Sequence, residues 1–107
     1  MISQSELVDA IATLDAQALK RWVDMGWVLP RHDTGSLHFD PSDVARVRLI
    51  CELHYELCIE EDSMPVVLSL MDQLYATRRA LGALSSAVAA QPEDVCARIT
   101  ALVEKSL

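Results

Sequence analysis

One stretch of this chain repeats apolar residues at the alternating spacing of three and four that is typical of a coiled-coil heptad. The stretch runs from Val67 to Val88, lies between Pro65 and Pro92, and only Thr77 interrupts its apolar positions. Such a pattern predicts a long helix whose apolar stripe must be covered by another helix. We therefore expect a homodimer, with the following residues on the seam between two chains: Val67, Leu70, Leu74, Leu81, Leu84 and Val88.

The residues upstream of this helix predict two short helices, a hairpin and a third helix, in that order. Residues 3–12 place apolar side chains at helical spacing, and a second helix begins after the cap Asp15 and stops at Gly26. The next segment alternates apolar residues around a polar turn at residues 33–35, which is typical of a two-stranded hairpin. A third helix is predicted to run over residues 42–62.

The composition agrees with a helical protein. Hydrophobic residues make up 51% of the 107 residues but aromatic residues only 5%, and this balance favours helices over a β-sandwich. We expect a mainly α fold in two parts, a helical domain with a hairpin over residues 1–62 and a helical dimerisation extension over residues 63–107. Within the extension, Pro92 separates the long helix from a C-terminal helix.

The distribution of charge is uneven along the chain. The net charge is −7, and between Leu49 and Thr77 there are six acidic residues and no lysine or arginine. A field of this sign repels phosphate and attracts basic partners. From the residues alone two interpretations remain open, a solvated helix face or a docking surface for a basic protein. The acidic residues that would form the docking surface are Glu52, Glu56, Glu60, Glu61 and Asp62.

DNA binding is the first alternative function. A domain with this order of helices and hairpin would need basic side chains on its second helix and its hairpin to bind DNA, because affinity rises with the number of phosphates neutralised. The few bases in a chain of net charge −7 argue against sequence-specific DNA binding. The residues that could contact phosphates are Lys20, Arg21, Arg31, Arg46 and Arg48.

A metal site is the second alternative. Cys51, His54 and Cys58 share one face of the predicted 42–62 helix and could ligate Zn²⁺ or Cu⁺. That face is apolar, a free cysteine packs there as a small hydrophobic residue, and no fourth ligand is near, so we predict no metal and no cofactor. His32 and His38 have no nearby nucleophile or paired carboxylate, so we expect no enzyme activity.

The three cysteines are an odd number without disulfide-like spacing, and the chain starts without the charged and apolar regions of a signal peptide. No apolar run reaches the roughly 18 residues of a membrane span. These features predict a cytoplasmic protein that does not enter a membrane.

The order helix, helix, hairpin, helix and long helix resembles a MerR-type winged-helix domain followed by its dimerisation helix. The stretch "LKRWVDMGWVLP" (residues 19–30) is similar to the passage of that superfamily from the second helix to the wing. MerR-type regulators carry an Arg-Tyr-Tyr run on the second helix and a Gly-Tyr-Arg run on the wing. Here the corresponding residues are Lys20-Arg21-Trp22 and Gly35-Ser36-Leu37.

Within this superfamily the chain resembles the CbpM family, small modulators of DnaJ-type co-chaperones. The resemblance rests on "FD" at residues 39–40, "LHYEL" at residues 53–57 and "VVLSLMDQL" at residues 66–74, which is similar to the family signature V-x-L-[ST]-L-M-D-x-[IL]. It implies a dimer that binds the J-domain of a CbpA-like co-chaperone and inhibits its action on the DnaK-type chaperone. It also favours the docking interpretation of the acidic residues.

Overall fold

The computed structural model describes residues 1–107 and is mainly helical with one small antiparallel sheet, which confirms the predicted mainly α fold class. Its elements are strand β1 (Ile2–Ser3), helices α1 (Gln4–Ala10) and α2 (Ala16–Asp24), strands β2 (Arg31–Asp33) and β3 (Ser36–Phe39), helix α3 (Pro41–Cys51), a π-helical turn (Glu52–Glu56), a 3₁₀ turn (Glu61–Ser63), and helices α4 (Met64–Ala89) and α5 (Glu93–Ser106).

The chain forms two compact units, Met1–Leu68 and Ser69–Leu107, and α4 contributes to both. The predicted boundary between residues 62 and 63 lies shortly before this division. The division falls later in the sequence because the first turns of α4 supply Met64 and Leu68 to the core of the first unit.

Side-chain caps precede the first three helices, and one of them is the predicted cap Asp15. Ser3 and Glu6 form a capping box before α1, in which each side chain accepts from the backbone amide of the other residue. Asp15 accepts from a backbone amide in the first turn of α2 at 2.7 Å. Asp40 and Asp43 form a second capping box at the start of α3. These local contacts fix where each helix begins.

Strands β2 and β3 form the predicted hairpin, with Asp33 opposite Ser36 at its turn. Thr34 and Gly35 connect the strands with φ angles of 48° and 80°, the two positive angles of a type I′ turn. Strand β1 pairs antiparallel with β3, so the sheet order is β1-β3-β2. The sequence did not predict β1, because a strand of two residues has no period to detect.

The core of the first unit joins its helices to strand β3. Leu7 of α1, Trp22 of α2, Phe39 of β3, Ile50 of α3 and Met64 of α4 are all fully buried. Burial of one such side chain stabilises a fold by about 1.5 to 3 kcal/mol, so each element is held by its own apolar contact. No polar or charged residue is buried in this core.

The second unit consists of the larger part of α4 and all of α5. The helices are separated near Pro92, as predicted, because proline cannot continue a helix. The thiol of Cys96 donates to the carbonyl oxygen of Val88 at 2.9 Å and links the two helices. No residue of this unit is fully buried. Its apolar side chains therefore lie mostly on open faces.

The single helix predicted for residues 42–62 is wrong. Helix α3 ends at Cys51, continues as the π-helical turn and stops at Leu57. Cys58 then has a φ of 57°, and Glu60 is extended. Glu60 therefore does not lie on the same helix as Glu52 and Glu56. No proline or glycine lies at this break, so the sequence pattern indicated a continuous helix.

The hairpin turn provides a test of the fold. Thr34 is β-branched and has a positive φ, where a side chain of this shape is strained. Thr34→Asn should raise the free energy of unfolding by about 0.5 to 1 kcal/mol, because asparagine tolerates the left-handed region and favours type I′ turns. Chemical denaturation measures this change. Thr34→Val, which keeps the branching, should give no gain, and equal stability of the two variants would contradict the turn assignment.

A candidate docking surface at the end of helix α3

The end of α3 is a wide turn followed by a reversal of the chain. The amide of Leu57 donates to the carbonyl oxygen of Glu52 at 3.0 Å, which is the i to i+5 bond of a π-helix. The amide of Ile59 then donates to the carbonyl oxygen of Leu53 at 2.9 Å, across the left-handed residue Cys58. Leu53 is buried in the core, so this turn is attached to the first unit.

Glu61 connects the segment after the turn to helix α2 through hydrogen bonds. Its Oε1 accepts a hydrogen bond from Trp22 Nε1 at 2.9 Å and another from Arg21 Nε at 3.3 Å. Its Oε2 accepts from Arg21 Nη2 at 3.1 Å. The indole N–H of a buried tryptophan needs an acceptor, and Glu61 supplies it from a distant part of the chain. This contact fixes the path of the chain between α3 and α4.

The electrostatics of this contact follow from its geometry. Hydrogen bonds from Arg21 hold the pKa of Glu61 below its ordinary value of 4.5, although partial burial opposes the change. A lowered pKa stabilises the fold above that ordinary value, and the contribution is lost as the pH falls through the folded-state pKa. The Arg21 side chain is 54% exposed, so solvent screens its attraction to the carboxylate. The Trp22 side chain is fully buried, so its bond to Glu61 is less screened by solvent.

Two further rings pack around Trp22. The rings of His54 and Tyr55 each lie 6.5 Å from Trp22, and 4.8 Å from one another. His54 Nδ1 lies 2.8 Å from the carbonyl oxygen of Ile59 and must be the donor, because a carbonyl only accepts. His54 thus holds the reversed chain against the π-helical turn. Burial raises the pKa of the Tyr55 hydroxyl.

The structure separates the five acidic residues of the predicted partner site. Glu52 and Glu56 are exposed on the π-helical turn, and Glu60 is exposed on the extended segment. Asp62 is exposed, whereas Glu61 is half-buried and engaged by α2. Four of the five carboxylates therefore face solvent around one break in the chain, and Glu61 has a structural contact.

Exposed apolar side chains lie among these carboxylates. Leu57 is 66% exposed and Tyr55 is 38% exposed. Both are next to acidic residues at the break, where the backbone leaves the helix. We define the acidic break surface as this group, whose members are Glu52, Tyr55, Glu56, Leu57, Glu60 and Asp62. A central apolar contact with charged neighbours is the usual composition of a protein-docking site.

The predicted dimer seam has three environments along α4. Val67 contacts the core of the first unit. Val88 is half-buried beside α5, where its carbonyl accepts from Cys96. The middle of the seam is open, and its leucines are between 45% and 63% exposed: Leu70, Leu74, Leu81 and Leu84. The apolar stripe of α4 therefore has a free central part.

The residues considered for metal binding have other contacts. Cys51 is buried, and burial raises the pKa of its thiol. His54 uses Nδ1 at the chain reversal, and Cys58 is exposed and has a left-handed backbone conformation. The break in the helix moves Cys58 away from the face that the three residues were predicted to share. No group of three histidine, cysteine or acidic side chains in the structure could hold a metal ion.

The sequence did not reveal the role of Glu61 or the contact with Arg21. A signal was present, because Trp22 lies on the apolar face of a predicted helix and its indole N–H requires an acceptor when buried. The identity of the acceptor could not be found, since Glu61 is far along the chain and follows an unpredicted break.

Comparisons with known proteins gave no relative for this chain. No family model matches it, and neither the curated proteins nor the solved structures contain a match. None of the helices combines the length and apolar character required to cross a membrane.

Substitution of Glu61 tests whether its hydrogen bond to Trp22 stabilises the first unit. Glu61→Leu should lower the free energy of unfolding by about 1 to 3 kcal/mol, because the buried indole N–H loses its acceptor. Glu61→Gln removes the charge and keeps an acceptor oxygen, so it should cost less than about 1 kcal/mol. Urea unfolding followed by tryptophan fluorescence measures both. Equal losses in the two variants would contradict a role for the acceptor.

Proposed function

We propose that the chain is a non-catalytic modulator that binds the J-domain of a CbpA/DnaJ-type co-chaperone and inhibits its action on the DnaK-type chaperone. The observation that carries the proposal is the acidic break surface, in which Leu57 and Tyr55 are exposed on the same short segment as four exposed carboxylates. The resemblance to the CbpM family supplies the identity of the partner. A J-domain presents a basic helix to its chaperone, and this surface has the complementary charge.

We further propose that the first unit is a winged helix of the MerR type. The order α1, α2, hairpin and α3 supports this, with α2 as the second helix of a helix-turn-helix and β2–β3 as the wing. The unit is compact and has one core that joins α2 to the hairpin strand β3. In this proposal the winged helix is a scaffold for protein binding.

A MerR-like DNA-binding regulator is the alternative function. It would need free cations on α2, but Arg21 is engaged by Glu61 through two hydrogen bonds. Arg46 also has a structural contact, since its Nε donates to the carbonyl oxygen of Trp27 at 3.0 Å. These contacts, together with the net charge of −7, favour a basic protein over DNA as the partner.

We also propose a homodimer formed through the middle of the α4 seam. The exposure of four leucines on one helix face supports this, because apolar stripes of this kind are covered by a second helix in coiled coils. A dimer would present two acidic break surfaces, one on each chain.

Charge reversal at the break surface tests partner binding. Glu60→Lys should weaken binding of a CbpA-type J-domain by about tenfold, since a charge across an interface is worth about 1 to 1.5 kcal/mol when it meets an opposite charge. Glu60 makes no side-chain hydrogen bond or ion pair in the structure, so the fold should remain intact. Isothermal titration gives the affinity, and circular dichroism confirms the fold.

The matched control is Asp9→Lys, which makes the same change of charge on exposed helix α1. It should leave the affinity nearly unchanged, and added salt should weaken the wild-type complex mainly through slower association. If Glu60→Lys binds as tightly as the wild type at low salt, the acidic break surface is only a solvated face. If both variants lose affinity equally, the effect is one of net charge alone.

A charged substitution on the α4 seam tests whether the chain forms a homodimer. Leu74→Asp should convert the dimer to a monomer, because a carboxylate in the centre of a helix seam would be buried without a partner. Analytical ultracentrifugation at about 20 µM measures the oligomeric state. Leu29→Asp is the control, because Leu29 is 77% exposed in a loop of the first unit and lies off the seam. A monomeric wild type would contradict the proposed dimer.

A further inference from the structure

A groove lies at the end of helix α2, beside the 3₁₀ turn and the start of helix α4. It has a volume of about 460 Å³, and its apolar lining comes from Met25, Trp27 and Pro65. All of its lining residues belong to the first unit, and it shares no residue with the α4 seam of the proposed dimer. The groove is therefore a feature of the first unit alone.

Hydrogen bonds fix the walls of this groove. The amide of Trp27 donates to the carbonyl oxygen of Trp22 at 2.9 Å, and Gly26 has a φ of 78°, which are the features of the Schellman turn that ends α2. This turn sets the positions of Met25 and Trp27. On the other side, Glu61 is held by its bond from Trp22. A pre-formed groove loses little entropy when a ligand enters, so more of the contact energy appears as affinity.

The groove has an exposed apolar side chain at its border. Met25 is 62% exposed, whereas Trp27 is only 7% exposed. Methionine is unbranched and flexible, so it adapts its shape to an entering side chain. Single exposed apolar residues are common on protein surfaces, and Leu29, which is 77% exposed, is one that lies outside the groove. Met25 differs from Leu29 because it borders a concave apolar space.

The charged residues of the groove are mainly acidic. Glu61 is paired with Arg21, so these two opposite charges largely cancel. Asp24 on α2 and Asp62 on the 3₁₀ turn also line the groove, and both are exposed and make no side-chain hydrogen bond or ion pair. A ligand that enters here therefore meets apolar contacts and unpaired negative charge together. This combination fits an apolar side chain with lysine or arginine beside it, and it repels phosphate and acidic peptides.

We propose that this groove binds an apolar side chain of the basic partner, and that this contact slows dissociation of the complex. The inference rests on the proposed function and extends its site, because Asp62 belongs both to the acidic break surface and to the groove. The occupant is a segment of the J-domain in which an apolar residue lies beside basic residues. The charges of the break surface speed association, whereas the apolar contact in the groove determines the dissociation rate, since a few buried anchors carry most of the binding energy of an interface.

Substitution of Met25 tests the apolar contact in the full-length chain. Met25→Gln keeps the length of the side chain and adds no charge, so it should leave the association rate of a CbpA-type J-domain unchanged and speed its dissociation by about fivefold to tenfold. Leu29→Gln is the matched control, because it removes a similarly exposed apolar side chain outside the groove, and both rates should stay at the wild-type values. Surface plasmon resonance measures the rates, and circular dichroism confirms the fold. Equal dissociation rates in Met25→Gln and the wild type would overturn the inference.

A pair of peptides tests the groove without the J-domain. One is a lysine-rich helical peptide with a central leucine, and the other has serine in its place. The leucine peptide should bind the wild type about fivefold more tightly and shift the NMR signal of the Met25 methyl group, and Met25→Gln should remove this preference. Equal affinities of the two peptides would overturn the inference even if the J-domain binds. A preference for leucine without any binding of the J-domain would refute the proposed function and the J-domain as occupant, and would support the groove as the site of another basic protein.

Discussion

The hydrogen bond from Trp22 Nε1 to Glu61 is the contact on which the first unit depends. Trp22 is fully buried at the centre of the core, and its polar N–H requires an acceptor in that apolar environment. Glu61 can provide the acceptor only if the chain leaves α3 before residue 58 and reverses its direction. The π-helical turn, the left-handed Cys58 and the bond from His54 to Ile59 together produce that path. The position at which α4 begins follows from the same contact.

This contact also decides which charges the first unit presents to solvent. Glu61 also accepts hydrogen bonds from Arg21 of α2. The acidic residues Glu56, Glu60 and Asp62 remain exposed around the break. In a DNA-binding winged helix, α2 would contact phosphate. Here its Arg21 is paired with Glu61, and the exposed charges near residue 60 are negative. The proposed preference for a basic protein partner is thus connected to a structural hydrogen bond.

Much of the fold could be predicted because its signals are local. The cap Asp15, the hairpin turn at Thr34 and the helix break near Pro92 are each specified by adjacent residues, and all of them are present in the structure. The chain reversal after α3 could not be predicted, because it is fixed by a contact between residues far apart in sequence. For the candidate site, the sequence identified the acidic residues, but only the structure distinguishes Glu61 from the four that remain exposed. The apolar members of the surface were missed because they appeared to belong to a helix core.

The central claim is that the break between α3 and α4 is the partner-binding surface of a winged-helix scaffold. Hydrogen exchange on the full-length chain, with and without a saturating CbpA-type J-domain, tests it most directly. We expect new protection of the backbone amides of residues 52–62 and little change in the β2–β3 hairpin, because the partner would cover the acidic break surface. Protection confined to α2 and the hairpin, with none at residues 52–62, would contradict the claim and place the partner on the face that a DNA-binding protein would use.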